Sequence, residues 1–338
     1  MKKTNRLDVL LIILLICCGL KLTFHIDRLI DIALYDETGY IQRALSIPAS
    51  GMPSASISPL YSIWYYFLSA FVNNPLDLFY LNIKLQIILL PIIFFIFLRT
   101  LRINPLYSLL SAFYLLISYG NIFPMPRSAL FVTLIIMTFF IFFALAKNDF
   151  IKIMILASGC LVASFIRPEY FLGFVAFIMY AIVLFVLRKE STRFFLTTIF
   201  SFSLLWVALI SWAGNPFTDG YATRGFWAFG QNFSYNYATW EKLNINPWTN
   251  SDKIIEQHFG NSHNLFLAFL TNPVLILKHF FSNLLLYFKY LYLILFVHLN
   301  IILPSSQRIF SIIESLMVVG FICYLMARNR IRYAQNCQ

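Results

Sequence analysis

Charge is scarce in this chain: only 12% of its 338 residues are Asp, Glu, Lys or Arg. A soluble domain carries about twice that share, so a water-soluble globular fold is excluded. Acid is scarcer than base, with 14 Asp and Glu against 25 Lys and Arg. The net charge of +11 sits in short clusters between apolar runs. Membrane topology distributes basic residues in that way, and a nucleic-acid surface does not, so no nucleic-acid partner is expected. The five cysteines show neither metal-ligand spacing nor a disulfide framework. Low-complexity tracts and internal repeats are also missing.

Apolar surface is what the chain has in excess. It is 60% hydrophobic and 18% aromatic, with a mean hydropathy of +0.77. Runs of about 17–25 apolar residues recur along the whole length, enough for each to cross a bilayer as a helix. The expected fold is therefore all-α: one polytopic transmembrane domain over residues 1–338 with about 9–10 spans. Candidate spans are about 7–26, 78–98, 105–121, 128–146, 151–166, 170–187, 194–213, 280–301 and 309–327. The first follows a basic start, "MKKTNR", and no small-x-small cleavage site comes after it. It reads as a retained helix rather than a signal peptide.

One apolar stretch, "SPLYSIWYYFLSAFV" at 58–72, is short for a span, and its placement decides the side of every later loop. If it lies on the surface and the amino terminus is inside, then Arg99, Arg102, Lys147, Lys152, Arg188, Lys189 and Arg193 all fall inside. A crossing would put all seven outside, against the positive-inside bias. Residues 58–72 are thus expected as an interfacial helix, with Trp64, Tyr65 and Tyr66 at headgroup level. Ten of the fourteen acidic residues then lie outside. The basic tail "RNRIRYAQNCQ" breaks the pattern, since nine spans leave it outside too. Residues 264–279 as a tenth crossing, or a re-entrant ending, would repair this.

Two stretches interrupt the apolar repetition and read as outer loops, about 27–77 and about 214–279. In the first, "DETGYIQRAL" has Asp36, Tyr40 and Arg43/Ala44 on one helical stripe. A short surface helix is expected there, ending near Pro48, with Asp36 at the amino end where the helix dipole favours a carboxylate. The plain alternative is a pair of solvated acids that start a helix.

The sequence Asp36-Glu37, then Tyr40 and Ala44, then Pro-rich turns and Ser58-Pro59-Leu60-Tyr61 resembles the GT-C membrane glycosyltransferases. Its nearest branch looks like the protein O-mannosyltransferases and aminoarabinose transferases. Lys84 and Arg99 stand where that family often has basic residues at the two ends of its second span. "IRPEYFL" (166–172) is similar to its turn between the fifth and sixth spans. The likeness covers roughly residues 5–190. It departs from the family at "YGNIFPMPRSAL", where members commonly carry a second acid and this chain has Arg127.

The resemblance implies transfer of a sugar from a polyprenyl-phosphate donor to a glycan, lipid or protein hydroxyl, on the outer face of a bacterial inner membrane. Inversion would follow from a single displacement, with Asp36 as general base and Glu37 as a supporting or metal-ligating partner. A divalent metal ion stays open as a cofactor, with its ligands unknown. Arg43, Lys84, Arg127, Arg167 and Arg224 are the cations available for the phosphate, and Tyr40, Tyr61 and Glu169 complete the first-loop and turn candidates. In the aromatic second loop, Gln231 and Asn232 suit hydroxyl recognition. Each has a plainer reading: Lys84 can snorkel to headgroups, Arg167 can pair with Glu169, and the aromatics can form an interfacial belt. His258 and His263, five apart with Glu256 close by, allow metal binding, but their spacing is ordinary and carries no specific metal signal. A polysaccharide polymerase, ligase or flippase, a secondary transporter and a non-catalytic membrane subunit are the competing functions.

Overall fold

The computed structural model describes residues 6–30, 35–53, 58–72, 74–122, 127–188, 192–215 and 222–296. Every regular element among them is a helix. Asparagine starts many of these helices. Asn74 and Asn104 each precede a proline, accept the N–H of Leu76 and Leu106 on their side chains, and open α5 (Pro75–Thr100) and α6 (Pro105–Leu116). Asn148 does the same for α9 (Asp149–Ser164) with the N–H groups of Phe150 and Ile151. The side-chain oxygen satisfies donors that the first turn cannot, and proline at the first helical position has no donor to satisfy.

Among the described residues four helices are long and apolar enough to cross a membrane: Pro75–Thr100, Ser128–Leu145, Tyr170–Leu187 and Arg193–Ala213. They are α5, α8 (Arg127–Leu145), α10 (Tyr170–Arg188) and α11 (Thr192–Ala213). A fifth is formed if α14 (Leu265–Thr271) and α15 (Pro273–Phe296), bent by 118°, count together. The other expected spans differ in detail. The first, α1 (Arg6–Thr23), has 18 residues with Arg6, Asp8 and Lys21 at its ends. At 105–121 the helix stops after 12 residues and α7 (Tyr119–Ile122) follows. At 151–166 there are 16 helical residues. The expected span at 280–301 starts earlier, at Pro273, and 309–327 lies outside the described residues.

The bundle is built around two helices. Helix α5 packs on α1, α6 and α8, and α9 packs on α8, α10 and α11. Two glycines permit the closest approaches. A Cβ on Gly19 would stand 2.8 Å from Ile88, and one on Gly159 would stand 2.8 Å from Phe139. At the end opposite the first loop, Arg99 pairs with Asp8 at 2.8 Å, tying α5 to α1.

The first loop forms three helices: α2 (Ile26–Leu29), α3 (Tyr35–Ser50) and α4 (Pro59–Ser69). Helix α4 has 11 residues, about 16 Å at 1.5 Å per residue, half of a hydrocarbon core. Its length agrees with the interfacial placement. Helix α3 runs two residues past the expected stop at Pro48. Proline in the last turn costs the one backbone bond that would reach the Ala44 carbonyl, and two residues on, Ser50 donates its hydroxyl to the Ser46 carbonyl at 2.9 Å. The second loop forms α12 (Ala222–Trp240) and α13 (Ser251–Phe259), which pack on each other, and α12 also packs on α15.

Candidate functional site

Helix α3 presents two faces. Glu37, Tyr40, Ile41 and Ala44 are buried at positions i, i+3, i+4 and i+7, the stripe of a helix lying on a surface. Asp36, one residue earlier, is exposed. Adjacent residues diverge by about 100°, so these two neighbouring carboxylates face different surroundings.

Glu37 is 2% exposed and sits at the focus of a polar network. Tyr65 donates its hydroxyl to Oε2 at 2.5 Å, and the Tyr61 hydroxyl lies 3.1 and 3.3 Å from the two oxygens. Both tyrosines are one turn apart on α4. Asn82 of α5 donates to the Tyr61 and Tyr65 oxygens at 2.8 and 2.7 Å. Its own oxygen accepts from Trp64 Nε1 and Gln86 Nε2, each at 2.8 Å. This fixes the direction of the bonds around Asn82. Because Asn82 supplies protons to both phenolic oxygens, neither hydroxyl donates back to it: Tyr65 donates to Glu37, and the Tyr61 proton is within reach of Glu37 and of the Tyr65 oxygen.

Arg127 is the cation facing this focus. It is fully buried at the start of α8, and its guanidinium donates to the carbonyls of Asn121, at 3.4 Å, and Ile122. Those bonds hold it in the α7 turn, and its charge acts on Glu37 from there. Burial raises the Glu37 carboxyl above its ordinary 4.5, while the bonds from Tyr65 and Tyr61 and the Arg127 charge pull the other way. Burial also pushes the Tyr61 and Tyr65 hydroxyls well above their usual range, so both remain proton donors.

The same end of the bundle is clamped by Ser58. Its backbone is left-handed, with φ 54°, and its hydroxyl donates to the Ile166 carbonyl at 2.6 Å. Leu60 N–H donates to the Phe165 carbonyl at 3.2 Å. The first loop is thereby fastened to the turn that carries Arg167.

Of the residues that the sequence nominated, Glu37, Tyr40, Tyr61 and Arg127 come together in the interior. The Tyr40 ring packs edge-on against Tyr61 with centroids 5.1 Å apart. Asp36 and Arg43 share the outer side of α3. The Arg43 guanidinium lies 5.9 Å from the Tyr40 ring centre, folded back over Gly39 toward the amino end. Arg167 and Glu169 pair with each other at 2.6 Å. Lys84 stands about 200° round α5 from Asn82, in a cleft with Asp27 and Asp77. It faces away from the Glu37 network.

Gln231 and Asn232 belong to α12, where Asn232 donates to the Ala228 carbonyl at 2.8 Å. Arg224 is in the first turn of α12, and its side chain lies outside the described residues. Among the described residues no three His, Cys, Asp or Glu side chains gather as a metal site.

Sequence reading missed Tyr65, Asn82 and Gln86 as partners of Glu37. The signal was available: two amides four residues apart inside an apolar run face one direction on a helix, and such groups in a span need partners. Together these residues can hold a surface helix rigidly while leaving its first carboxylate free in solvent. Comparison with known protein families, characterised proteins and solved structures finds no match for this chain.

Proposed function

We propose that this chain is a multi-pass membrane glycosyltransferase of GT-C type. It takes a sugar from a polyprenyl-phosphate donor and passes it to an acceptor hydroxyl on the outer face of a bacterial inner membrane. The reading rests on one observation above the rest. An exposed carboxylate, Asp36, heads a surface helix that is anchored through the very next residue by a buried hydrogen-bonded network. Catalysis by proton transfer needs a base held in place and open to substrate.

In the proposed step, Asp36 takes the proton from the attacking hydroxyl. The hydroxyl oxygen bonds to the anomeric carbon as the carbon–oxygen bond to phosphate breaks, and the phosphate leaves with the electron pair. Attack opposite the leaving group inverts the centre. Arg43, on the same side of α3, is the cation that would offset the charge on the departing phosphate. Glu37 touches neither reactant: it positions α3 through Tyr61 and Tyr65.

The test compares Asp36→Asn with Glu37→Gln in cells lacking the native chain, with surface-glycan mass profiles read at matched protein level. Asp36→Asn should remove one sugar mass, with transfer lowered about 10²–10⁴-fold. If Asp36→Asn leaves every glycan as in wild type while deletion changes one, Asp36 is not the base and the proposal fails.

A further inference from the structure

The structure gathers three basic side chains that the phosphate candidates above leave out. Lys21 lies in the last turn of α1, His25 in the turn that follows, and Arg28 in α2. Together with Leu20, Leu22 and Phe24 they line an open groove of about 670 Å³. Among the described residues no carboxylate lines it. Asp27, between the two basic residues, turns instead into the neighbouring cleft with Asp77 and Lys84.

Three features of the groove bear on its occupant. The first is charge: Lys21 and Arg28 carry two permanent positive charges, and the His25 ring adds two nitrogens able to bond oxygen. The second is apolar surface running straight on from the cations. Phe24 is 71% exposed and Leu20 57%, and the Phe24 ring meets His25 edge-on at 4.4 Å. The third is depth. The groove is at the terminus of the apolar helix α1, where a headgroup and the first carbons of its chain meet the protein. A carboxy-terminal helix end also favours cations, which explains how Lys21 is held there.

We infer that this groove binds the phosphate of a membrane-embedded phosphomonoester lipid. A phosphomonoester carries about −1.5 to −2 charges at neutral pH and matches Lys21 and Arg28 one for one. A phosphodiester headgroup, with a single charge, leaves one cation unmatched. The exposed Phe24 and Leu20 take the first segment of the hydrocarbon chain, so the alcohol without phosphate and the phosphate without chain each lack half of the recognition. The inference concerns binding alone and holds whether or not the chain transfers sugars.

The experiment is native mass spectrometry of the full chain in detergent. Four probes are added in turn: a polyisoprenyl monophosphate, its parent alcohol, phosphatidylglycerol and inorganic phosphate. The monophosphate should be retained well above the other three. Lys21→Gln and Arg28→Gln should each weaken its retention about tenfold, the size of one charge-assisted bond. Lys21→Arg should restore it, and Lys152→Gln, which removes the partner of Asp149 at the opposite end of the bundle, should have no effect. Equal retention of phosphatidylglycerol, or inorganic phosphate displacing the lipid at equal concentration, would overturn the assignment. So would a Lys21→Gln/Arg28→Gln double variant that binds like wild type. Because only binding is read, these results leave the Asp36 experiment to stand or fall separately.

Discussion

The two polar stretches that interrupt the apolar helices solve the same problem differently. In the first, Tyr61, Tyr65, Asn82, Gln86 and Trp64 direct their protons in one sense onto a single carboxyl group. In the second, Asn236 and Asn283 bracket an imidazole: Asn236 Nδ2 lies 3.0 Å from His279 Nδ1, and Asn283 Nδ2 lies 3.0 Å from Nε2. A neutral imidazole accepts at one nitrogen and donates at the other. One of the two amides must therefore present its oxygen, and turning either one breaks the 2.8 Å bond that Asn236 Nδ2 donates to Asn283 Oδ1. The first network runs in one direction, and the second cannot satisfy its three contacts at once. A charge focus imposes order that a neutral amide cluster does not.

The first network should accordingly be the costlier to break. Glu37→Ala leaves two buried hydroxyl donors without their acceptor and the Arg127 charge without its counter-charge, and losses of this kind run to about 3–5 kcal/mol. Thermal unfolding in detergent should show that variant as the least stable of the set. If it unfolds within a degree of wild type, the network is not what fixes α3.

Asn236→Leu should cost less, about 1–3 kcal/mol, because the histidine and Asn283 can re-pair once one member is gone. Measured in the same melts, it ranks below Glu37→Ala. The reverse order would mean that α12, α13 and α15 depend on their amide cluster more than the bundle depends on Glu37, and the contrast drawn above would invert.

Much of the first region was legible in the residues. The short, aromatic α4 and the helix beginning at Asp36 followed from length, charge bias and periodicity, and Asn-Pro pairs mark the starts of α5 and α6. What the sequence did not give was the inward face of α3: the stripe expected through Asp36, Tyr40 and Ala44 passes through Glu37 instead. Adjacent positions are separated by about 100° on a helix, but which of the two turns inward depends on what α4 and α5 offer. That Glu37 is the buried one depends on Tyr61, Tyr65 and Asn82, which are 24, 28 and 45 residues away. The same holds for Lys84. Its place near the end of an apolar run is plain, yet only the packing of α5 shows it facing Asp27 and Asp77 rather than Glu37. The groove of Lys21, His25 and Arg28 went unread because its members fall on either side of a helix end, where no periodicity links them.

The smallest expected effect is the one that separates the two regions by sign. Burial raises the Glu37 carboxyl above 4.5, against the opposing pull of Tyr65, Tyr61 and Arg127. The folded chain then holds that proton more tightly than the unfolded one. The stability it contributes is complete below 4.5 and is lost as pH rises through the folded value. His258, in α13 of the second region, runs the other way. Burial lowers it below 6.5, with the Glu241 charge opposing, so its contribution is complete above 6.5 and is lost as pH falls. Between those two ordinary values the regions pull in opposite directions, Glu37 by less than about 1.4 kcal/mol per pH unit, the bound for one titrating group, and the partly exposed His258 by less still because solvent screens it. Melting midpoints at pH 5 and pH 7 separate them. Glu37→Gln should steepen the loss of stability toward acid, because it removes the group that gains there, and His258→Gln should flatten it. If Glu37→Gln leaves the difference between the two pH values unchanged, the carboxyl does not change its protonation between them. The two hydroxyl donors and the Arg127 charge would then outweigh its burial, and the network would hold an anion throughout.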